Sequence, residues 1–130
     1  MVNKYITIKD MVRLSEKLYN KHRHKWMKAT PESNIYWIAW LIGEIGEVID
    51  VIKKKGVEKI MGNKDTRQEM LEEIIDCYMY LADILNRYKY TPEEFTKKYF
   101  EKMHFNLKRD YKKSKTKNDK EFAAKEENQL

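Results

Sequence analysis

Four acids in two short stretches carry the chemistry that this chain could perform. Glu44 and Glu47 stand three residues apart in the apolar run Trp40-Leu-Ile-Gly-Glu-Ile-Gly-Glu-Val-Ile-Asp50, and Glu73 and Asp76 repeat that spacing in Glu72-Glu-Ile-Ile-Asp-Cys-Tyr-Met-Tyr80. A spacing of three puts both members of a pair on one side of a helix. Like charges so placed repel by roughly 0.2–0.5 kcal/mol on a solvated helix, and by more where water is excluded. A cation held between two such helices would remove the penalty. The competing reading is four solvated acids, each salt-bridged to a lysine.

An all-oxygen donor set, without thiolate or imidazole, fits Mg2+ or Mn2+ rather than zinc or copper. A di-iron bundle also faces carboxylates across helices, but it needs Glu-x-x-His on two of them. Here the fourth residue is Glu47 or Asp76, and His22, His24 and His104 lie outside the spacing. Magnesium held by a few carboxylates keeps positions open for water and substrate phosphates, which points to phosphate chemistry. Lys102, Asn106 and Arg109, at i, i+4 and i+7 in Lys102-Met-His-Phe-Asn-Leu-Lys-Arg109, offer a point charge, an amide and a fork to the remaining phosphates. Trp26, in a basic stretch without helical period, either covers the core or stacks on a flat ligand.

The elements that must position these groups are helices. Four Gly and two Pro in 130 residues leave few turns, and no stretch alternates apolar and polar residues as a strand would. Thr7 with Asp10 predicts a helix start, with an apolar stripe from Ile8 to Tyr19 ending near His22; residues 23–30 read as a loop. Thr30-Pro-Glu-Ser predicts a second helix, with Pro31 at its first position, running to Lys55 and stopping at Gly56. Its apolar residues cover more than one face, so it is expected to pack on several sides. Gly43 and Gly46, flanking Glu44, suggest close approach of another helix or a ligand. A polar connection is expected from Val57 to Asp65, with Asp65 or Thr66 capping a third helix that reaches Tyr88 and is largely interior on its apolar side. Thr91-Pro-Glu-Glu is a second capping box and opens a fourth helix to Tyr111. The expected architecture is an all-α four-helix bundle over residues 1–111, followed by a Lys-rich disordered tail over 112–130.

The net charge of +6 is spread unevenly. Residues 1–30 carry eight Lys or Arg against two acids and the tail six against four, whereas the middle carries thirteen against fifteen. A basic rim around an acidic centre suits a polyanionic substrate brought to a bound metal. The single cysteine, Cys77, excludes an internal disulfide and, within an apolar helix, reads as a small core residue. The longest apolar run, Ile35 to Gly43, is nine residues, against the ~20 needed to span a bilayer. With no cleavable leader at its start, the chain is expected to be cytoplasmic, without membrane contact.

Taken together, Gly43-Glu-Ile-Gly-Glu47, Glu72-Glu-Ile-Ile-Asp76 and Lys102 to Arg109 resemble the all-α nucleoside triphosphate pyrophosphohydrolase superfamily, which includes MazG-like proteins, dCTP pyrophosphatases and dimeric dUTPases. Tyr80, one turn after Asp76, and Asn34, eight residues after Trp26, are similar to positions of the dCTP pyrophosphatase branch. The resemblance implies hydrolysis between the α and β phosphates of a nucleotide, giving a monophosphate and pyrophosphate. It implies Mg2+ on Glu44, Glu47, Glu73 and Asp76, with one glutamate helping to activate water. It further implies that Lys102, Asn106, Arg109 and Tyr80 hold phosphates and sugar, that Trp26 and Asn34 face the base, and that the chain forms a homodimer or a dimer of dimers. A different class of function, a non-catalytic helical dimer binding nucleic acid or a protein partner through its basic ends, would show salt-dependent polyanion binding with no metal requirement.

Overall fold

The computed structural model describes residues 5–109. Among them there are five helices: α1 (Ile8–His22), α2 (Asn34–Lys55), α3 (Val57–Gly62), α4 (Lys64–Arg87) and α5 (Pro92–Lys108). No strand occurs among the described residues, as the scarcity of turn residues predicts. They fall into two compact units, one ending at Phe95 and one beginning at Thr96. The expected ends of the chain, Tyr111 and the tail over 112–130, lie outside the described residues.

Local sequence explains most helix boundaries. The Thr7 hydroxyl accepts from the Asp10 amide at 3.2 Å while the Thr7 amide donates to the Asp10 carboxylate at 3.0 Å, a reciprocal cap that starts α1. Thr91 and Glu94 make the same exchange at α5, at 2.8 and 3.1 Å. Gly56 ends α2 with φ +81, a left-handed value that suits glycine, and its amide still donates to the Ile52 carbonyl at 2.9 Å.

Three expectations need correction. Pro31 is not the first helical residue: residues 31–33 form a turn in which Ser33 and Thr30 exchange side chain to backbone hydrogen bonds, and α2 begins at Asn34. That local bonding competes with helical bonding and delays the start. The connection after Gly56 is not irregular, because Val57–Gly62 makes the short helix α3, which Arg67 ties to α4 by donating to the Ile60 carbonyl at 3.2 Å. The cap of α4 is Asn63, whose side-chain oxygen accepts from the Thr66 amide at 3.0 Å, rather than Asp65 or Thr66.

In the first unit α4 is the centre, packing against α1, α2 and α3. Its buried apolar side chains are few: Val12, Trp37, Val51, Met70 and Ala82. Polar cross-links do the rest. Asn34, fully buried, donates from α2 to the Ile84 carbonyl at 3.1 Å, and Asn86 donates from α4 to the Val12 carbonyl at 2.9 Å. Arg87, 5% exposed, lies with its guanidinium 3.5 Å from the centre of the Trp37 ring. A desolvated stack of this kind contributes about 2 kcal/mol.

The apolar sides of α2 and α4 are not as interior as their composition suggests. Ile42 is 66% exposed, and Ile35, Ile45, Ile49, Leu71, Ile75, Tyr78 and Met79 are exposed as well. A helix apolar on several faces needs several neighbours, and within this unit α2 packs only on α4 and α3. Gly43 and Gly46 fit the same pattern: a Cβ at either would meet nothing within 4 Å among the described residues, so the close approach they suggest is not seen there.

With so small a core, Trp37→Ala is expected to cost about 3–5 kcal/mol, and Thr7→Ala about 1 kcal/mol, in equilibrium denaturation. A Trp37→Ala cost as small as that of the cap variant would show that the α2–α4 contact is not the centre of stability.

Candidate metal centre and aromatic cavity

Three of the four acids converge. Glu44 on α2 and Glu73 and Asp76 on α4 each offer a carboxylate oxygen within 4.8 Å of the other two, all half-buried. Their helices put them there: the spacing of three on α4 keeps Glu73 and Asp76 on one side, and packing of α2 on α4 brings Glu44 across. Glu47 is exposed and stands outside this triad, although its charge still acts on Glu73. None of the four acids makes an ion pair with Lys or Arg among the described residues. Nearby acids that do, such as Glu69 with Lys55 at 4.0 Å and Asp50 with Lys54 at 3.4 Å, show that the surface has lysines to spare.

The electrostatic consequence falls on Glu73. Burial pushes its carboxyl above the ordinary value of 4.5, and Asp76, Glu47 and Glu44 each push it further. Tyr80, one turn on from Asp76, is raised by burial and then by Glu44, Asp83 and Asp76, so its hydroxyl stays protonated and can donate. The Cys77 thiol is pushed up by burial and then by Glu44 and Asp76, which favours the thiol over the thiolate. The donors are carboxylate oxygens at a spacing that one hard divalent ion could bridge, and the charge they leave uncompensated is of the sign such an ion would neutralise.

Asp76 also belongs to the wall of a cavity of about 570 Å3, within the usual range for small-molecule sites. All three tryptophans of the chain, Trp26, Trp37 and Trp40, line it together with Tyr80, Met79, Lys25 and Asp83. Trp37 and Trp40 meet edge to face at 5.1 Å. Trp26 is held from the other direction: its amide donates to the His22 carbonyl at 3.1 Å and its ring stacks on His22 at 5.1 Å. The loop that carries it is pinned where the Ala29 amide donates to the Tyr19 hydroxyl at 2.8 Å.

Of the residues expected to touch substrate, Trp26 and Tyr80 line this cavity and Asn34 is not among its lining residues. Asn34 is fully buried and holds α2 to α4; its side-chain oxygen has no hydrogen-bond partner among the described residues. Lys102 and Asn106 lie on α5 and Arg109 immediately beyond it, in the second unit. Lys102 is exposed and Asn106 and Arg109 are half-buried, and the Arg109 amide donates to the Asn106 carbonyl at 3.3 Å.

Sequence reasoning took Trp37 and Trp40 only as apolar helix residues and passed over Asp83. Spacing holds the missing signal. Trp37, Trp40 and Glu44 follow one another by three and four on α2, as Asp76, Tyr80 and Asp83 do on α4, so the aromatic wall and the acids share a face on each helix.

Comparison with known proteins returned no matching family model, no matching curated protein and no matching solved structure.

In metal-free protein, the stability contributed by Glu73 is complete below the ordinary carboxylate value and is lost as pH climbs through its raised one. Independently of that titration, mass action predicts that Mg2+ at 100 times its Kd stabilises the fold by about 2.7 kcal/mol. Glu73→Gln should melt above metal-free wild type and lose the Mg2+ increment. An increment that survives this substitution, read by thermal melting, would remove Glu73 from the ion's coordination.

Proposed function

We propose that this chain is a Mg2+-dependent nucleoside triphosphate pyrophosphohydrolase of the MazG-like all-α type, cleaving between the α and β phosphates to give a monophosphate and pyrophosphate and clearing non-standard or excess nucleotides. The observation that carries the reading is the junction of two features at Asp76. An uncompensated carboxylate triad and a cavity walled by three tryptophans share that residue. Phosphates beside a divalent ion and a flat base against indole rings are the two halves of a nucleotide.

Glu44, Glu73 and Asp76 would hold the ion. When bound, Mg2+ or Mn2+ polarises a phosphoryl oxygen and lowers the pKa of an attacking water. Glu47, exposed and outside the triad, keeps a free carboxylate that can accept the proton of that water. The Tyr80 hydroxyl donates a hydrogen bond to sugar or phosphate. Trp26 and Trp40 enclose the base, while Trp37, 3% exposed and stacked on Arg87, fixes the cavity floor. Lys102, Asn106 and Arg109 carry the groups that suit the remaining phosphates.

A homodimer or a dimer of dimers is part of the same proposal. The exposed Ile42, Ile45 and Ile49 on α2 and Leu71, Ile75 and Tyr78 on α4 are more apolar surface than single scattered residues account for. No described helix is long and apolar enough to cross a membrane.

Pyrophosphate release from nucleoside triphosphates should require Mg2+ or Mn2+, and Asp76→Asn should fold and lose turnover by about 100-fold or more. Unchanged release in Asp76→Asn would contradict the assignment. Light scattering on the eluting protein should give two or four times the chain mass of 15.9 kDa. A monodisperse monomer would contradict the oligomer.

A further inference from the structure

Asp83 is a carboxylate in the aromatic cavity that the proposed chemistry does not use. It lies seven residues after Asp76 on α4, which places it on nearly the same face and about 10.5 Å further along the axis. Both residues line the cavity, with Tyr80 between them in sequence. That separation is comparable with the reach from a 5′ phosphate to the far edge of its own base. A nucleotide whose phosphates lie at the triad therefore presents its base to Asp83.

The surroundings of Asp83 fix one of its oxygens and leave the other. Ser15 donates from α1 to Oδ1, and Arg87 approaches the same oxygen at 3.6 Å while donating to the Asp83 carbonyl at 2.9 Å. Asn86 in turn donates to the Ser15 hydroxyl at 3.2 Å. Oδ2 makes no hydrogen bond among the described residues, and the side chain remains 21% exposed. Arg87 also stacks on Trp37, so one buried guanidinium sets both the indole on which a ring would rest and the carboxylate beside it. Inter-helix strutting accounts for Oδ1, and Asp83 lines both the aromatic cavity and a second, apolar one beside α1.

An ionised carboxylate only accepts hydrogen bonds. Facing the edge of a base, it pairs with an exocyclic amine, as aspartate and glutamate pair with N4 of cytosine, and it repels a carbonyl oxygen at the same place. We infer that Asp83 is a specificity-determining residue that selects nucleotides whose base carries an exocyclic amine over those with a carbonyl in its place. This rests on the pyrophosphohydrolase reading and deepens it.

The test compares bases that exchange the exocyclic amine for a carbonyl, and with it a bare adjacent ring nitrogen for an N–H, with sugar and phosphates constant: dCTP with dUTP, and dATP with dITP. Mg2+-dependent pyrophosphate release by wild-type protein should favour the amine in both pairs by at least about tenfold in kcat/KM. Asp83→Asn, which keeps an oxygen for Ser15 and gains a donor toward the base, should reduce both ratios to within about threefold. Loss of a structural strut alone would lower all four rates together and leave the ratios standing. Equal rates within each pair for wild type, or ratios unchanged in Asp83→Asn, overturn the role of Asp83 while the pyrophosphohydrolase reading stands. Should Asp83→Asn fail to fold, the wild-type ratios decide alone. No turnover of any of the four nucleotides by folded, Mg2+-supplied protein overturns both.

Discussion

Mutual repulsion among Glu44, Glu73 and Asp76 is the constraint on which the rest of the first unit bears. Three half-buried carboxylates lie within reach of one point, with no Lys or Arg paired to any of them among the described residues, and the Glu73 carboxyl is pushed above its ordinary value by burial and then by its acidic neighbours. Glu69 and Asp50, by contrast, pair with lysines. The three acids stand on α2 and α4, whose contact is the same one that buries Trp37 and seats Asn34 against Ile84. The contact that buries Trp37 is therefore also the one that brings the three acids together.

One face of α4 orders the whole arrangement. Glu73, Asp76, Tyr80, Asp83 and Arg87 follow one another at intervals of three or four, so each stands roughly a turn above the last. Charge is excessive at the lower end, the middle is a protonated hydroxyl, and the upper end is a carboxylate held by an arginine that also stacks on an indole. With a divalent cation at the acidic end, a molecule anionic at one end and flat at the other would match that gradient. The Tyr19 hydroxyl and the turn at 31–33 fix the C-terminal end of residues 23–30 at Ala29 and Thr30, and His22 supports the Trp26 ring.

The parts of this picture that depend on short-range periodicity were legible in the sequence. The helix starts at Thr7 and Thr91 follow from reciprocal capping, and the meeting of Glu44 with Glu73 and Asp76 follows from their spacing and from two helices joined by a short connection. What was not legible depended on competition between nearly equal local options or on partners far away in the sequence. The Thr30 and Ser33 side chains take backbone bonds that a helix would otherwise use, which no periodicity reveals. Asn34 and Asp83 owe their roles to partners fifty and sixty-eight residues away. The apolar faces of α2 and α4 read as interior because their composition is that of an interior; among the described residues many of those side chains are exposed.

The most direct measurement is a crystal structure of the protein soaked in Mn2+, with data collected at the manganese absorption edge. The account predicts an anomalous peak among Glu44, Glu73 and Asp76, with oxygen ligands at about 2.0–2.2 Å as expected for a hard octahedral ion, adjoining the cavity that Asp76 shares with the tryptophans. A fully soaked crystal with those carboxylates turned apart into solvent and no peak between them would contradict it.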